Sequence, residues 1–440
     1  MSRRLVLAVL LALSAGPFAR AQSWTLRDCI AFALDSSITV RQQEITRALQ
    51  DISLSTAKSS MLPGASANAG ENFSFGRSLG SDNTYKKMNS ESTSLNFGVD
   101  VPLFQGFQIR NNIKRSELSL QASEADLEKV KDDIRLQVAQ AYVQVLYDLE
   151  IVDAAKSQTE VDSLQLVRLA EMLHNGKTSA VEVAQQKASL SGSRLSLTQA
   201  RNNLSNDILS LTQLLELPSP EGFSVVRPAS SKLEPELLER PESIYARALQ
   251  TEPDIAAEQY RLDASSYALK VAKAGYFPTI SASCSLGSNY YHMNRADFND
   301  TFSSQLKTNF SQGIGLTLSI PIFDRFQTRN QIRSARLDIE AQALKMESVK
   351  KSLYKEIQTA YYNAVAAQEK LLSSEEAERS ASESFTLVKT KYENGLANIT
   401  EFNEARNSYY KSVTDLAQAR YECLYQTAVL NFYKGEEIDF

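Results

Sequence analysis

The same structural sentence is written twice in this chain. A hydrophobic strand that reaches a proline, Ser94-Leu95-Asn96-Phe97-Gly98-Val99-Asp100-Val101-Pro102-Leu103-Phe104, returns as Gly313-Ile314-Gly315-Leu316-Thr317-Leu318-Ser319-Ile320-Pro321-Ile322-Phe323. Pro321 follows Pro102 by 219 residues, and Gly395 follows Gly176 by the same 219. Gln199-Ala200-Arg201 recurs at that spacing as Gln418-Ala419-Arg420. A repeat near half of the 440 residues implies a duplicated unit and not a short-period solenoid. Length alone would allow two or three unrelated domains; the repeat argues for two copies of one.

The long segments between these landmarks read as helices. Leu127, Val130, Ile134, Val138, Ala141, Val145, Leu149 and Val152 step by three or four residues, which is one face of a helix. Their mates in the second copy are Met346, Val349, Leu353, Ile357, Ala360, Ala364, Gln368 and Leu371, all apolar but one. Neither proline nor glycine interrupts residues 107–173 or 324–394. A helix of about 70 residues would be roughly 105 Å long, a dimension of coiled coils and extended barrels, not of compact domains. Shorter helices are expected at 25–61, 178–216, 240–276 and 397–433, stacked in pairs beside the long ones.

Between the helices the period is two. Leu95, Phe97, Val99 and Val101 alternate with Asn96, Gly98 and Asp100, and Ile314, Leu316, Leu318 and Ile320 alternate with Gly315, Thr317 and Ser319. Residues 65–76 and the run Ile280, Ala282, Cys284, Leu286 supply a partner strand for each, with polar loops expected at about 77–92 and 288–312. Such alternation fits a sheet with one face on a soluble core, or a transmembrane barrel with lipid outside and water inside. Strands near ten residues suit a bilayer. Four strands cannot close a barrel, and bare edges are not tolerated in lipid, so several chains would have to share one; three would give twelve strands and a pore. Pro63, Pro102, Pro278 and Pro321 are expected to mark the handovers between strand and helix, since proline cannot donate to a ladder.

The remaining features are mostly exclusions. Net charge is −5, so no basic footprint for nucleic acid exists. Two histidines (His174, His292) and three cysteines (Cys29, Cys284, Cys423) lie too far apart for metal, redox or disulfide spacing, and no cofactor is expected. No Gly-x-Ser-x-Gly, His-Glu-x-x-His, Cys-x-x-Cys or phosphate-binding glycine loop appears, which makes an enzyme the weakest reading. Arg3 and Arg4, the apolar run Leu5 to Leu13 and the small-x-small site Ala19-Arg20-Ala21 read as an export signal with a mature start at Gln22. Cys29 is too far downstream to carry a lipid anchor. The expected organisation is a signal peptide at 1–21, a first repeat at 22–217, a linker at 218–239, a second repeat at 240–434 and a tail at 435–440.

An export signal followed twice by helix, hairpin, long helix, glycine turn and helix resembles the TolC family of outer-membrane channel proteins, the outer-membrane factors. The resemblance covers about residues 24–434. It rests on the proline-ended strands with Leu-Phe or Ile-Phe after them, and on Lys391-Tyr392-Glu393-Asn394-Gly395-Leu396 followed by Ile399-Thr400-Glu401-Phe402-Asn403-Glu404-Ala405. It implies a mainly α fold with a small β part. Long antiparallel coiled-coil helices would form a periplasmic α-barrel, and four strands per chain would join a trimeric twelve-stranded barrel in the outer membrane. It further implies a homotrimer in outer-membrane lipid that docks on a periplasmic adaptor and an inner-membrane pump of RND or ABC type, as a passive conduit for efflux or type I secretion.

In the family two acidic residues after the second turn narrow the entrance; they map onto Glu401 and Glu404, three apart and so on one helical face. Glu182 matches Glu401 in the first copy, but Gln185 stands where Glu404 does. Gly176, Asn394, Gly395 and Leu396 would form the adaptor-facing tip, and Tyr392 would hold it closed. The basic residue expected two positions after the glycine is Ala397 here, a departure from the family's closing network. The competing reading is a secreted coiled-coil scaffold or trimeric adhesin without a pore, which leaves the twin hairpins unexplained.

Overall fold

The computed structural model describes residues 23–79, 83–227, 237–294 and 300–438. The expected export signal at 1–21 lies outside them, as do residues 228–236 of the linker and 439–440 of the tail. In chain order the elements are β1 (Ser23–Trp24), α1 (Leu26–Ser36), α2 (Ile38–Ser59), β2 (Gly64–Ser74), β3 (Arg77–Leu79), β4 (Tyr85–Lys87), β5 (Ser90–Gln105) and α3 (Gln108–His174). Then come α4 (Ala180–Leu214), β6 (Ser224–Val225), α5 (Pro241–Thr251), α6 (Pro253–Ala274), β7 (Thr279–Met293), α7 (Phe302–Thr308), β8 (Ser311–Ser319), α8 (Gln327–Glu393) and α9 (Ile399–Tyr433). Helix dominates, and both long helices, α3 and α8, have 67 residues.

Two helices expected as continuous are broken. Residues 25–61 divide at Ser37, which takes an extended backbone (ψ 126°), and 240–276 divide at Glu252, before Pro253. Proline pushes the residue before it out of the helical region, which accounts for the second break. At the first, Ser36 donates its hydroxyl to Leu215 O at 3.0 Å, so the end of α1 is tied to the end of α4.

The chain divides into two compact units. One comprises Ile45–Ala125 and Ala256–Glu347; the other comprises Met1–Glu44, Asp126–Ile255 and Ser348–Phe440. The first contains the antiparallel sheet β2-β5-β7-β8. Two details correct the sequence expectation there. The loops are not bare: β3 and β4 form a small hairpin, and α7 stands between β7 and β8. Nor does the first strand end at Pro102. β5 continues to Gln105, with a register shift between Pro102 and Phe104 that makes Leu103 the extra residue of a bulge. A bulge is where a strand tolerates a residue that cannot donate.

The change from strand to helix comes four to five residues after each proline and is the same in both copies. Gly106 and Phe107 have φ of 58° and 64°; their mates Arg325 and Phe326 have 57° and 63°. Two successive left-handed residues turn the chain, and each turn carries an edge-to-face aromatic pair, Phe104–Phe107 at 5.3 Å and Phe323–Phe326 at 5.5 Å. A Cβ on Gly106 would stand 2.7 Å from Phe277 Cβ, so that position admits only glycine, whereas Arg325 is exposed.

The second unit packs helices on the expected seams. Ile134, Val138 and Val145 are buried in a core with Cys29, Ala33, Tyr142, Leu146, Leu211 and Leu215, against which Leu127, Val130, Ala141 and Leu149 are partly buried. Leu353, Ile357, Ala360, Ala364 and Leu371 are buried in the second copy. Tyr142 donates its hydroxyl to Val226 O at 2.6 Å, tying α3 to the strand pair β1–β6.

One buried position of α3 is acidic. Asp148 is 5 % exposed, whereas its mate Ala367 is an ordinary buried alanine. Burial, and then the neighbouring Asp207 carboxyl, push the Asp148 carboxyl up to about 7. Folding therefore takes up a proton at this pair. The stability it confers is complete below the ordinary aspartate range and is lost as pH rises towards 7. Asp148→Asn, which cannot ionise, is expected to be more stable than the parent at pH 8, by up to roughly 4 kcal/mol, and to converge with it near pH 4. Thermal midpoints across that range check this.

Candidate channel face and tip

The sheet has two chemically distinct faces. Its register puts Leu95, Phe97, Val99 and Val101 on the same side as Ile280, Ala282, Cys284, Leu286, Ile314, Leu316 and Leu318. Ala65, Ala67 and Ala69 of β2 continue that side, with Glu71 opposite Thr93 as its one charge before Phe73. The other side carries Ser66, Asn68, Gly70, Asn96, Gly98, Asp100, Ser281, Ser283, Ser285, Gly313, Gly315, Thr317 and Ser319. The apolar side is bare: Ile314 is 90 % exposed and Leu316 71 %. β2 and β8 form the two edges, each with one neighbour. Among the described residues no helix is long and apolar enough to cross a membrane. Pro63 and Pro278 each stand one residue before a strand, and Pro321 two residues after one.

The tip is built in the helical unit by two equivalent turns. Gly176 (φ 66°) stands two residues past the end of α3 and Gly395 (φ 75°) two past the end of α8. In the first, Gly176 N–H donates to Leu173 O at 3.0 Å and Lys177 N–H to Met172 O at 2.8 Å; in the second, Gly395 N–H donates to Tyr392 O at 3.1 Å and Leu396 N–H to Lys391 O at 2.8 Å. This paired pattern satisfies the last carbonyls of a helix and requires a left-handed residue, best supplied by glycine. Asn394 donates its side-chain amide to Thr390 O at 2.8 Å. Gly176, Asn394, Gly395 and Leu396 are all exposed, and Leu396 presents an apolar side chain that is 77 % accessible.

Both following helices start with a capped first turn. Asn398 Oδ1 accepts from Glu401 N–H at 2.9 Å, and Asn398 Nδ2 donates to Glu401 Oε1 at 3.0 Å. Ser179 and Glu182 repeat the arrangement, with Thr178 Oγ1 donating to Glu182 Oε2 at 2.5 Å. Glu401 thus has a capping role, and Glu404 is exposed on the next turn. Tyr392 lies at the seam: its ring stacks on Phe402 at 4.9 Å beside Leu169, Val183 and Phe385, and burial pushes its phenol up. Arg168 and Glu393 form an exposed ion pair at 3.5 Å.

A buried polar cluster just inside the tip has no trace in the sequence reading. Arg406 of α9 is 1 % exposed and Asp162 of α3 is wholly buried; the two are paired through Nη1 and Oδ1. Arg406 Nη2 donates to Ser189 Oγ of α4 at 2.7 Å, and Gln186 Nε2 donates to Asp162 O at 3.0 Å. Three helices from both copies meet at one guanidinium. The repeat mates are Lys187 for Arg406 and Ala381 for Asp162, so neither copy contains the pair by itself.

The family model for outer membrane efflux proteins matches residues 32–216 and 244–436. The outer membrane efflux protein BepC of Brucella suis biovar 1 is 25% identical over 79% of this chain and 71% of its own length. The outer membrane protein TolC of Escherichia coli K12 is 23% identical over 79% of this chain and 71% of its own. Among solved structures, the CmeC outer membrane channel of Campylobacter jejuni superposes with a TM-score of 0.78 at 18% identity, covering 94% of this chain and 86% of that one. VceC of Vibrio cholerae gives 0.77 at 17%, covering 94% and 96%. With the match running through both copies of the repeat, the chain belongs to the outer membrane efflux protein family.

Proposed function

We propose that this outer-membrane efflux channel works as a homotrimer whose three four-stranded sheets close one twelve-stranded barrel. Its helices would form a coiled-coil tunnel in the periplasm. The observation that carries the proposal is the sheet itself. One face is apolar and bare, the other is small and polar, and two edges lack partners. Edges in lipid must be paired, and joining β8 of one copy to β2 of the next does so around a closed ring. The same pairing would bring the exposed stripe Ile45, Leu49 and Ile52 of the next copy's α2, which precedes β2, towards the exposed Leu337 and Leu344 of the first copy's α8, which follows β8. Native mass spectrometry of protein extracted from outer membranes should give three chains. A monomer would defeat the shared barrel.

The chain would be the passive member of an export system, driven by an inner-membrane pump of RND or ABC type through a periplasmic adaptor. The turns at Gly176 and at Asn394, Gly395 and Leu396 would contact the adaptor, with Leu396 as the apolar anchor. Tyr392 would keep the tip in shape through its stacking on Phe402. Relatives are named for pyoverdine export and for toxin and drug export, which fits a conduit whose cargo is chosen by the pump. Glu401 and Glu404 would form a ring of six carboxylates around the threefold axis, where negative charge favours cations. Glu401→Ala with Glu404→Ala is expected to lower cation selectivity in planar bilayers several-fold. Unchanged selectivity in an intact trimer would remove the ring.

A further inference from the structure

The loop helix α7 covers a stretch of strand edge that the sheet itself leaves open. β7 runs to Met293, but β8 begins at Ser311, opposite Gly287, so the upper end of β7 has no strand on that side. Side chains from the α7 segment take the strand's place. Gln305 Oε1 accepts from Tyr291 N–H at 2.9 Å, Gln305 Nε2 donates to Tyr291 O at 2.9 Å, and Asn309 Nδ2 donates to Asn289 O at 2.7 Å. In an apolar medium those backbone groups would have no other partner.

The helix also packs on the apolar side of the sheet. Ser288, in phase with Leu286 and Cys284, donates its hydroxyl to Leu306 O at 2.7 Å, and Tyr290 meets the Phe302 ring at 5.0 Å. Just below, Phe310 walls a groove of about 450 Å³ lined by Ala67, Ala69, Leu95, Phe97 and Leu286. Phe302 and Phe310 remain about half exposed, and Lys307 is exposed beside them.

We propose that α7 and Phe310 form a lipid-binding shelf at the outer-leaflet boundary. An acyl chain of an outer-leaflet lipid lies in the groove, and the lipid phosphate is within the compass of the Lys307 ammonium. The inference rests on the barrel reading, and the experiment separates the two. Phe310→Trp and Leu316→Trp variants of the full chain, each retaining Trp24 in the helical core, are reconstituted into vesicles of phosphatidylcholine with or without bromine on its acyl chains. Leu316 reports the barrel's apolar face, and Phe310 reports the shelf. Quenching of the Phe310→Trp emission to the same extent as that of Leu316→Trp supports the shelf. Quenching of Leu316→Trp alone means that water or a neighbouring copy covers the groove, and overturns it. Quenching of neither overturns both the shelf and the lipid-facing sheet.

Discussion

Replacing Arg406 by methionine is expected to destabilise the helical unit by about 3–5 kcal/mol, the largest stability loss for any single side chain at the tip. The reason is what remains. Asp162 is wholly buried and would be left without the guanidinium that compensates it. Ser189 and Gln186 cannot take over, since one hydroxyl and one amide do not balance a carboxylate in a dry setting. The exposed Arg168–Glu393 pair gives the contrast: both partners are nearly half accessible, and its removal should cost under about 1 kcal/mol. A second variant distinguishes a buried-charge penalty from lost packing. Pairing Arg406→Met with Asp162→Leu removes both charges and should recover most of the loss. Thermal unfolding of the detergent-solubilised protein measures all three. A double variant no better than the single one would mean that the network's geometry, and not the orphaned charge, holds the three helices together.

Sequence patterning revealed what the two copies share and concealed what they do not. The seams, the sheet's alternation and the glycine turns repeat at one spacing, and each is a local pattern that a window of residues can register. The Asp162–Arg406 pair joins positions 244 apart, and its repeat mates are Ala381 and Lys187, so periodicity carries no sign of it. Asp148 against Ala367 is a second case. Pro102 misled for a different reason: proline stops a ladder only where its missing donor is needed, and the bulge at Leu103 removes that need. The turning positions, Gly106-Phe107 and Arg325-Phe326, were hidden because only one of the four residues is glycine. The edge cap made by α7 depends on β8 being shorter than β7, a tertiary fact that no polar loop composition encodes. At the tip the sequence pointed to Glu401 and Glu404, and geometry adds that Glu401 is also half of a helix cap.

Adjacent residues of β8 should respond oppositely to the same substitution. Leu316 and Thr317 are consecutive, so the pleat sends them to opposite faces: Leu316 with Ala282 on the apolar side, Thr317 with Ser281 on the small polar side. Leu316→Arg places a cation where the barrel would meet the hydrocarbon, at a cost of about 2–4 kcal/mol per chain near the bilayer midplane. Three copies bring roughly 6–12 kcal/mol to one trimer, which is comparable with the whole stability of an ordinary domain. Assembled protein in the outer-membrane fraction should therefore fall to a small remnant. Thr317→Arg meets water in the lumen instead; the trimer should assemble at near-normal yield, with three added cations that lower cation conductance in planar bilayers. The pair tests orientation independently of fold, because both substitutions share one strand, one backbone ladder and one incoming side chain. Normal assembly with Leu316→Arg and failure with Thr317→Arg would reverse the sheet and put the polar face outward, a result incompatible with a water-filled channel.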